Sequence, residues 1–136
     1  MNDHVLLTGV REDARALLPA FDALICTSRD EQGPVAVIEG LAGALPVLST
    51  HVGMVPTMVE DNRNGLIFDT GSPQRAIDYL MRLAGEPGFA QAQGAAGYEI
   101  FKERFAPDPI LEKFEAVMAR IIREASDRRH GQSPRQ

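Results

Sequence analysis

Four short apolar runs punctuate the chain: HVLLTG (residues 4–9), DALICTS (22–28), PVLST (46–50) and GLIFD (65–69). Each is closed by glycine or polar residues, and each is too short for a helix, so each reads as a buried strand. Stretches with helical spacing lie between them. Strands alternating with helices in this way build βαβ units, and βαβ units build a parallel sheet. The expected fold is therefore α/β, with about four strands and helices on both faces. At 136 residues the chain fits one domain.

The intervening segments carry the usual helix signals. EDARALLPAF places Ala14, Leu17, Leu18 and Phe21 on one face, with Asp13 in the first turn and Pro19 near the end. Pro34 suits the first position of a helix that runs through VAVIEGLAGA and stops near Gly43. VPTMVED predicts a short helix, and NRNG is turn chemistry, since asparagine and glycine accept positive φ. Ser72 reads as an N-cap and Pro73 as the first residue of a helix with Ile77, Leu80, Met81 and Ala84 on its inner stripe. Three glycines in EPGFAQAQGAAGYEIFKERF suggest a helix in two pieces, broken for good at Pro107–Asp108–Pro109. A last helix, from about 110 to 125, is expected to bury Leu111, Phe114, Val117, Met118, Ile121 and Ile122. The expected domain is 1–126, followed by a disordered polar tail at 127–136.

Composition excludes some functions. The net charge is −5, and the basic residues are scattered apart from Arg128, Arg129 and Arg135, so no basic face for nucleic acid is evident. No run approaches the roughly 18 apolar residues of a membrane span, and the first residues do not form a secretory signal. The lone cysteine, Cys26, points weakly to a reducing compartment. A cytoplasmic location is the expectation.

The segment Ser28–Thr50, SRDEQGPVAVIEGLAGALPVLST, carries the chemistry. In open parallel sheets ligands bind beyond the carboxyl ends of the strands. The loop Ser28–Gly33 leaves such an end and runs straight into a helix, whose free N–H groups from about Val35 to Val37 form a natural site for phosphate. Gly33 allows close approach of the backbone to a ligand. Glu31 and Glu39 bracket this turn, Glu39 lying five residues past Pro34, about 7.5 Å along the helix axis. Two carboxylates with phosphate-binding amides between them suit a ligand with hydroxyls at both ends, such as a nucleotide sugar. By spacing alone, a solvated loop acid and an exposed helix acid are the commoner case. Nineteen acids in the chain make such pairs common.

The wider context is more specific. SRDEQGPVAVIEGLAGALPVLSTHVGMVPTMVEDNRNGLIFDTG resembles the nucleotide-binding half of the GT-B glycosyltransferases of family 4, the "glycosyl transferases group 1" domain. A serine–acid loop, two glutamates eight apart, an E-A-x-A-x-G-x-P-V run and a T-x-V-G-G-x-P-E-x-V run correspond to Ser28, Glu31, Glu39, Ala42, Pro46–Val47 and Thr50–Val59. The flanking strand–helix–strand and closing helices agree, so the likeness covers nearly all of 4–123. It implies a partial Rossmann-like domain and a retaining, metal-independent glycosyltransferase with a UDP- or GDP-sugar donor as substrate and no cofactor. Glu31 would be catalytic and bind donor-sugar hydroxyls, and Glu39 would bind the ribose. Ser28, the amides of Gly33, Val35 and Ala36, and the loop residues His51 and Gly53 would complete the substrate site. His4, His51 and His130 lack metal-ligand spacing.

The chain also departs from the pattern. Met54 replaces the second glycine of the G-G pair, Thr57 replaces the glutamate after the proline, and Gly40 stands where alanine is commoner. The family's sheet order 3-2-1-4-5-6 implies that only strands 3 to 6 are present, without the arginine and lysine that grip the diphosphate and without the acceptor domain. The first strand would then lack its neighbours and would re-pair beside the second or need a longer chain. The expected partner is a missing N-terminal half or a second subunit. The competing reading is a non-catalytic or decayed nucleotide-binding or interaction module.

Overall fold

The structure is a computed structural model that describes residues 4–130, with side chains described as far as residue 127. It comprises two compact units, residues 1–101 and 102–136.

The first unit is built on a parallel sheet of three strands, β1 (Leu24–Cys26), β2 (Val47–Thr50) and β3 (Gly65–Phe68), in the order β1-β2-β3. Leu24 pairs with Val47 and Val47 with Gly65, so the three strands start level. The helices are α1 (Ala14–Leu17) with a 3₁₀ turn at Leu18–Ala20, α2 (Val35–Ala42), α3 (Val55–Met58), α4 (Gln74–Gly85) and α5 (Phe89–Arg104). All four residues of β2 are buried, as a central parallel strand covered on both faces requires. Successive side chains on a strand point to opposite faces. Leu48 packs with Leu66, Phe68, Ala76 and Tyr79 beneath α4. Val47 faces the other way, toward Gly40 of α2, where a Cβ would come within 3.2 Å of it and 3.1 Å of Leu24. Gly40 thus sets how closely α2 lies on the sheet, which outweighs its poor helix propensity.

The run at residues 4–9 is not a strand. Val5, Leu6 and Leu7 are 59%, 85% and 72% exposed and form no strand pairing among the described residues. A strand gains its stability from a ladder partner, and among the described residues the sheet has three strands rather than four, with the outer edge of β1 unpaired. β1 is correspondingly short, with Ile25 half exposed.

Two helix details differ from expectation for physical reasons. Pro34 is the N-cap of α2, in extended conformation, and Pro73 rather than Ser72 caps α4 without a side-chain hydrogen bond. The inner stripe of α4 is Ala76, Tyr79, Leu80 and Leu83, while Ile77 and Met81 are exposed. The phase follows Tyr79, whose hydroxyl donates a 2.6 Å hydrogen bond to Gln93 Oε1, while Gln93 Nε2 donates to the Asn62 carbonyl at 2.7 Å. Tyr79 also meets the Phe89 ring edge-on.

Helix α5 is one helix, not two pieces. Gly94 does not weaken it: a Cβ there would collide with the Ala44 carbonyl, so the glycine is a contact surface for the α2–β2 connection. The buried Ile100 extends the same face.

The second unit is dominated by α6 (Pro107–His130), which starts three residues before the expected position and takes both prolines into its first turn, where a missing N–H costs nothing. Leu111, Phe114, Val117, Met118, Ile121 and Ile122 are 40–60% exposed, against the expected burial. A single helix has no second element within its own unit against which to bury them. The polar tail expected at 127–136 starts inside this helix: residues 127–130 are helical, and 131–136 lie outside the described residues. No described helix is long and apolar enough to cross a membrane.

Candidate functional site

The loop from β1 to α2 is held in shape by the loop that follows β2. The buried Thr50 hydroxyl donates a 2.5 Å hydrogen bond to the Ser28 carbonyl, and the Met54 amide donates to the Gln32 carbonyl at 2.8 Å. Between these two ties Gly53 takes φ +46°, and a Cβ on it would overlap the carbonyl oxygens of Glu31 and Gln32. Gly53 therefore acts on the site through the loop it supports. β1 ends at Cys26, opposite Ser49 and one residue short of the end of β2, so the two loops leave the same edge of the sheet side by side.

Ser28 Oγ donates to Glu31 Oε1 at 3.3 Å, while the Cys26 thiol lies 3.6 Å behind Ser28 Oγ. This chain of contacts turns the Glu31 carboxylate back toward the end of β1. Pro34 is buried and forms the corner. Beyond it the Val37 amide bonds the Pro34 carbonyl at 3.0 Å, so it is not available to a ligand as expected. The amides of Gly33, Val35 and Ala36 have no hydrogen-bond partner among the described residues. They are exposed, and those of Val35 and Ala36 point out of the positive end of α2, an arrangement that favours an oxyanion.

Glu39 is half-buried further along α2, and its Oε1 accepts a 2.6 Å hydrogen bond from Arg15 Nε in α1. Arg15, Leu18, Pro19, Ala42 and Gly43 form a shallow pocket around it. Met54 lies on the other side of the turn, with its sulfur 3.7 Å from where a Gly33 side chain would begin. Met54 has φ −83°, so no glycine is needed at that position. Thr57 donates its hydroxyl to the Met54 carbonyl at 2.8 Å, which secures the start of α3 where the family pattern has a glutamate.

Of the residues singled out in the sequence, Ser28, Glu31, Gly33, Val35, Ala36 and Gly53 thus come together around one turn. Glu39 and His51 flank it on separate surfaces. His51 is exposed and lines a cleft of about 640 Å³ above the ends of β2 and β3, with Arg29, Asp69, Thr70 and Arg75. The signal for the last four in the sequence is positional: Arg29 lies in the loop three residues past the end of β1, Asp69–Thr70 directly follow β3, and Arg75 lies in the first turn of α4. Among the described residues no three His, Cys, Asp or Glu side chains cluster as metal ligands.

Known proteins resemble this chain in sequence and in fold. N-acetyl-alpha-D-glucosaminyl L-malate synthase of Bacillus anthracis is 22% identical over 91% of this chain and 32% of its own length. GDP-mannose-dependent alpha-(1-6)-phosphatidylinositol monomannoside mannosyltransferase of Mycobacterium tuberculosis is 32% identical over 82% of this chain and 31% of its own length. The chain therefore spans about a third of these relatives. The C-terminal domain of a glycosyl transferase group 1 family protein from Francisella tularensis superposes with a TM-score of 0.65 at 22% identity, over 73% of this chain and 52% of that one. That likeness shows the fold, an α/β Rossmann-like domain of the GT-B kind. The family model for glycosyl transferases group 1 matches residues 1–100, and the chain belongs to that family as part of a GT-B C-terminal domain.

Proposed function

We propose that this chain is the donor-binding part of a retaining, metal-independent glycosyltransferase that uses a nucleotide-diphosphate sugar. The observation that carries the reading is the turn from β1 into α2. It presents the Glu31 carboxylate and the free amides of Gly33, Val35 and Ala36 together, with Glu39 on the same helix. In this reading the amides receive the diphosphate, and Glu31 accepts hydrogen bonds from the donor sugar. Glu39 releases Arg15 and accepts the ribose hydroxyls. As the sugar–phosphate bond breaks, negative charge grows on the diphosphate, and the positive end of α2 opposes that growth without reorganising. Ser28 orients the catalytic carboxylate, Gly53 holds the loop, and His51 stands at the edge.

One relative's name specifies GDP-mannose. By analogy a GDP- or UDP-sugar is the proposed donor, and a cytoplasmic enzyme is the proposed setting. Since relatives are about three times longer, transfer is proposed to need a further N-terminal half or a partner subunit.

Calorimetry with UDP and GDP tests the donor site. Binding of one of them, weakened at least tenfold in Glu39→Ala, is the expected result. No binding of either would falsify the reading. A non-catalytic nucleotide-binding module is the second reading, favoured by Met54 beside Gly33 and by the Arg15–Glu39 pair, which occupies the ribose ligand. Sugar transfer on adding an N-terminal half would exclude it.

A further inference from the structure

Helix α6 turns an apolar face to solvent. Leu111, Phe114, Met118 and Ile121 recur at intervals of three, four and three residues, and Val117 and Ile122 widen the stripe to either side. All six are 40–60% exposed. Such a face is comparable with the largest apolar patch of a typical monomer, about 300–600 Å². Two of them together approach the roughly 1,000 Å² that a specific interface needs. The charges of the helix are divided lengthwise. Residues 107–118 carry a formal net charge of −2 and residues 119–130 one of +2. A helix dipole draws acids to the first turn and bases to the last, but its effect fades beyond those turns. Glu112, Glu115, Arg120 and Arg123 lie deeper in the helix, so the dipole does not account for them. Arg120 Nε is 3.9 Å from Glu124 Oε1, and both side chains are exposed, so this pair is weak and leaves the guanidinium open to other charges.

We propose that α6 pairs with α6 of a second copy of this chain, antiparallel and along its full length. The acidic half of each helix then lies beside the basic half of the other, twice over, and the two helix dipoles oppose one another. A parallel pair would set like charge beside like charge at both ends. Full antiparallel overlap brings Met118 beside the partner's Ile121 and the bulky Phe114 beside the partner's Ala125, so that large meets small along the seam. A membrane surface is the poorer occupant. A helix that lies on lipid is rich in lysine and arginine on its polar face, whereas the formal charges of α6 cancel. The pairing uses no residue of the donor turn and does not rest on the donor-site reading.

Sedimentation velocity of the chain at concentrations from about 1 to about 200 μM tests the proposal. Expected is a concentration-dependent rise from one chain to two. Met118→Glu should weaken it at least tenfold, and Ala119→Gln, at an exposed position outside the stripe, should leave it unchanged. Both positions are exposed, so neither change threatens the fold. Glu112→Lys combined with Glu115→Lys turns the first half of the helix from −2 to +2. That reversal should weaken an antiparallel pair at least tenfold at about 0.05 M salt and much less at about 0.5 M, where charges are screened. In a parallel pair the repulsion is the same before and after, so an unchanged affinity overturns the antiparallel arrangement. A chain that stays monomeric throughout overturns the proposal, as does self-association indifferent to Met118→Glu. Binding of a monomeric chain to phosphatidylglycerol vesicles also overturns it and gives the stripe to lipid.

Discussion

The hydroxyl of Thr50 at the end of β2 reaches across the top of the sheet to the carbonyl of Ser28, 22 residues earlier, at 2.5 Å. Ser28 lies beyond the last residue of the short edge strand β1, so this bond takes over where the strand ladder stops. It ties the buried, rigid centre of the sheet to the loop that carries Glu31.

Thr50→Val keeps the shape but removes the donor. With Thr50 only 4% exposed, the loss should cost about 1–2 kcal/mol, the range for a buried hydrogen bond with one partner left behind. Urea denaturation measures it. Thr50→Ser should recover most of the difference, since the hydroxyl returns. Equal stability of all three proteins would show that the bond contributes nothing.

Gly53→Ala meets two obstacles: a positive φ and a collision with the carbonyls of Glu31 and Gln32. A strained backbone conformation of this kind costs on the order of 1–3 kcal/mol. The larger consequence is displacement of the Glu31 loop, seen as reduced nucleotide affinity. Gly85→Ala is the control, because nothing lies near its Cβ position and its φ is not positive. There alanine should be neutral or stabilising by up to about 1 kcal/mol. Indistinguishable behaviour of the two variants would remove the loop-support role of Gly53.

Burial pushes the Tyr79 hydroxyl up to about 12, from 10. The folded state therefore holds this proton more tightly than the unfolded state does. Stability from the protonated group is complete below pH 10, and it is lost progressively as pH rises from 10 toward 12. Two units correspond to roughly 2–3 kcal/mol across that window. Denaturation at pH 9 and pH 11.5 should show the loss in the native chain, and Tyr79→Phe should remove this component of it. A Tyr79→Phe variant with the same alkaline slope would mean that Tyr79 is not the titrating group.

Periodicity and turn chemistry made much of this architecture readable. PVLST is apolar without alternation because both faces of β2 are covered, and the positive φ of Asn62 follows from the NRNG turn. What could not be read depended on partners distant in sequence. HVLLTG looks like a strand locally, but a strand exists only where it pairs with a neighbour, and local residues do not encode whether it does. Gly94 looks like a helix weakness until the Ala44 carbonyl is found against it. The phase of α4 hinged on Gln93, 14 residues beyond Tyr79. At the site, the glutamates were legible as a pattern, while Arg29, Asp69, Thr70 and Arg75 become a group only when the ends of β1, β2 and β3 are set side by side.

Arg15 and Glu39 give the donor site its most direct test. Their bond is short, 2.6 Å, yet the Arg15 side chain is 76% exposed and that of Glu39 29%, so water screens the pair. Such pairs contribute about 0–1 kcal/mol, and Arg15→Ala should leave denaturation midpoints nearly unchanged. If Glu39 receives the ribose, Arg15 competes with the nucleotide for the same carboxylate. Removing the arginine should then raise UDP or GDP affinity by up to about fivefold, the equivalent of the pair's own strength. Glu39→Ala should act in the opposite direction, lowering affinity at least tenfold with little change in stability. Weaker binding in Arg15→Ala would place the guanidinium itself on the nucleotide and make Glu39 its support.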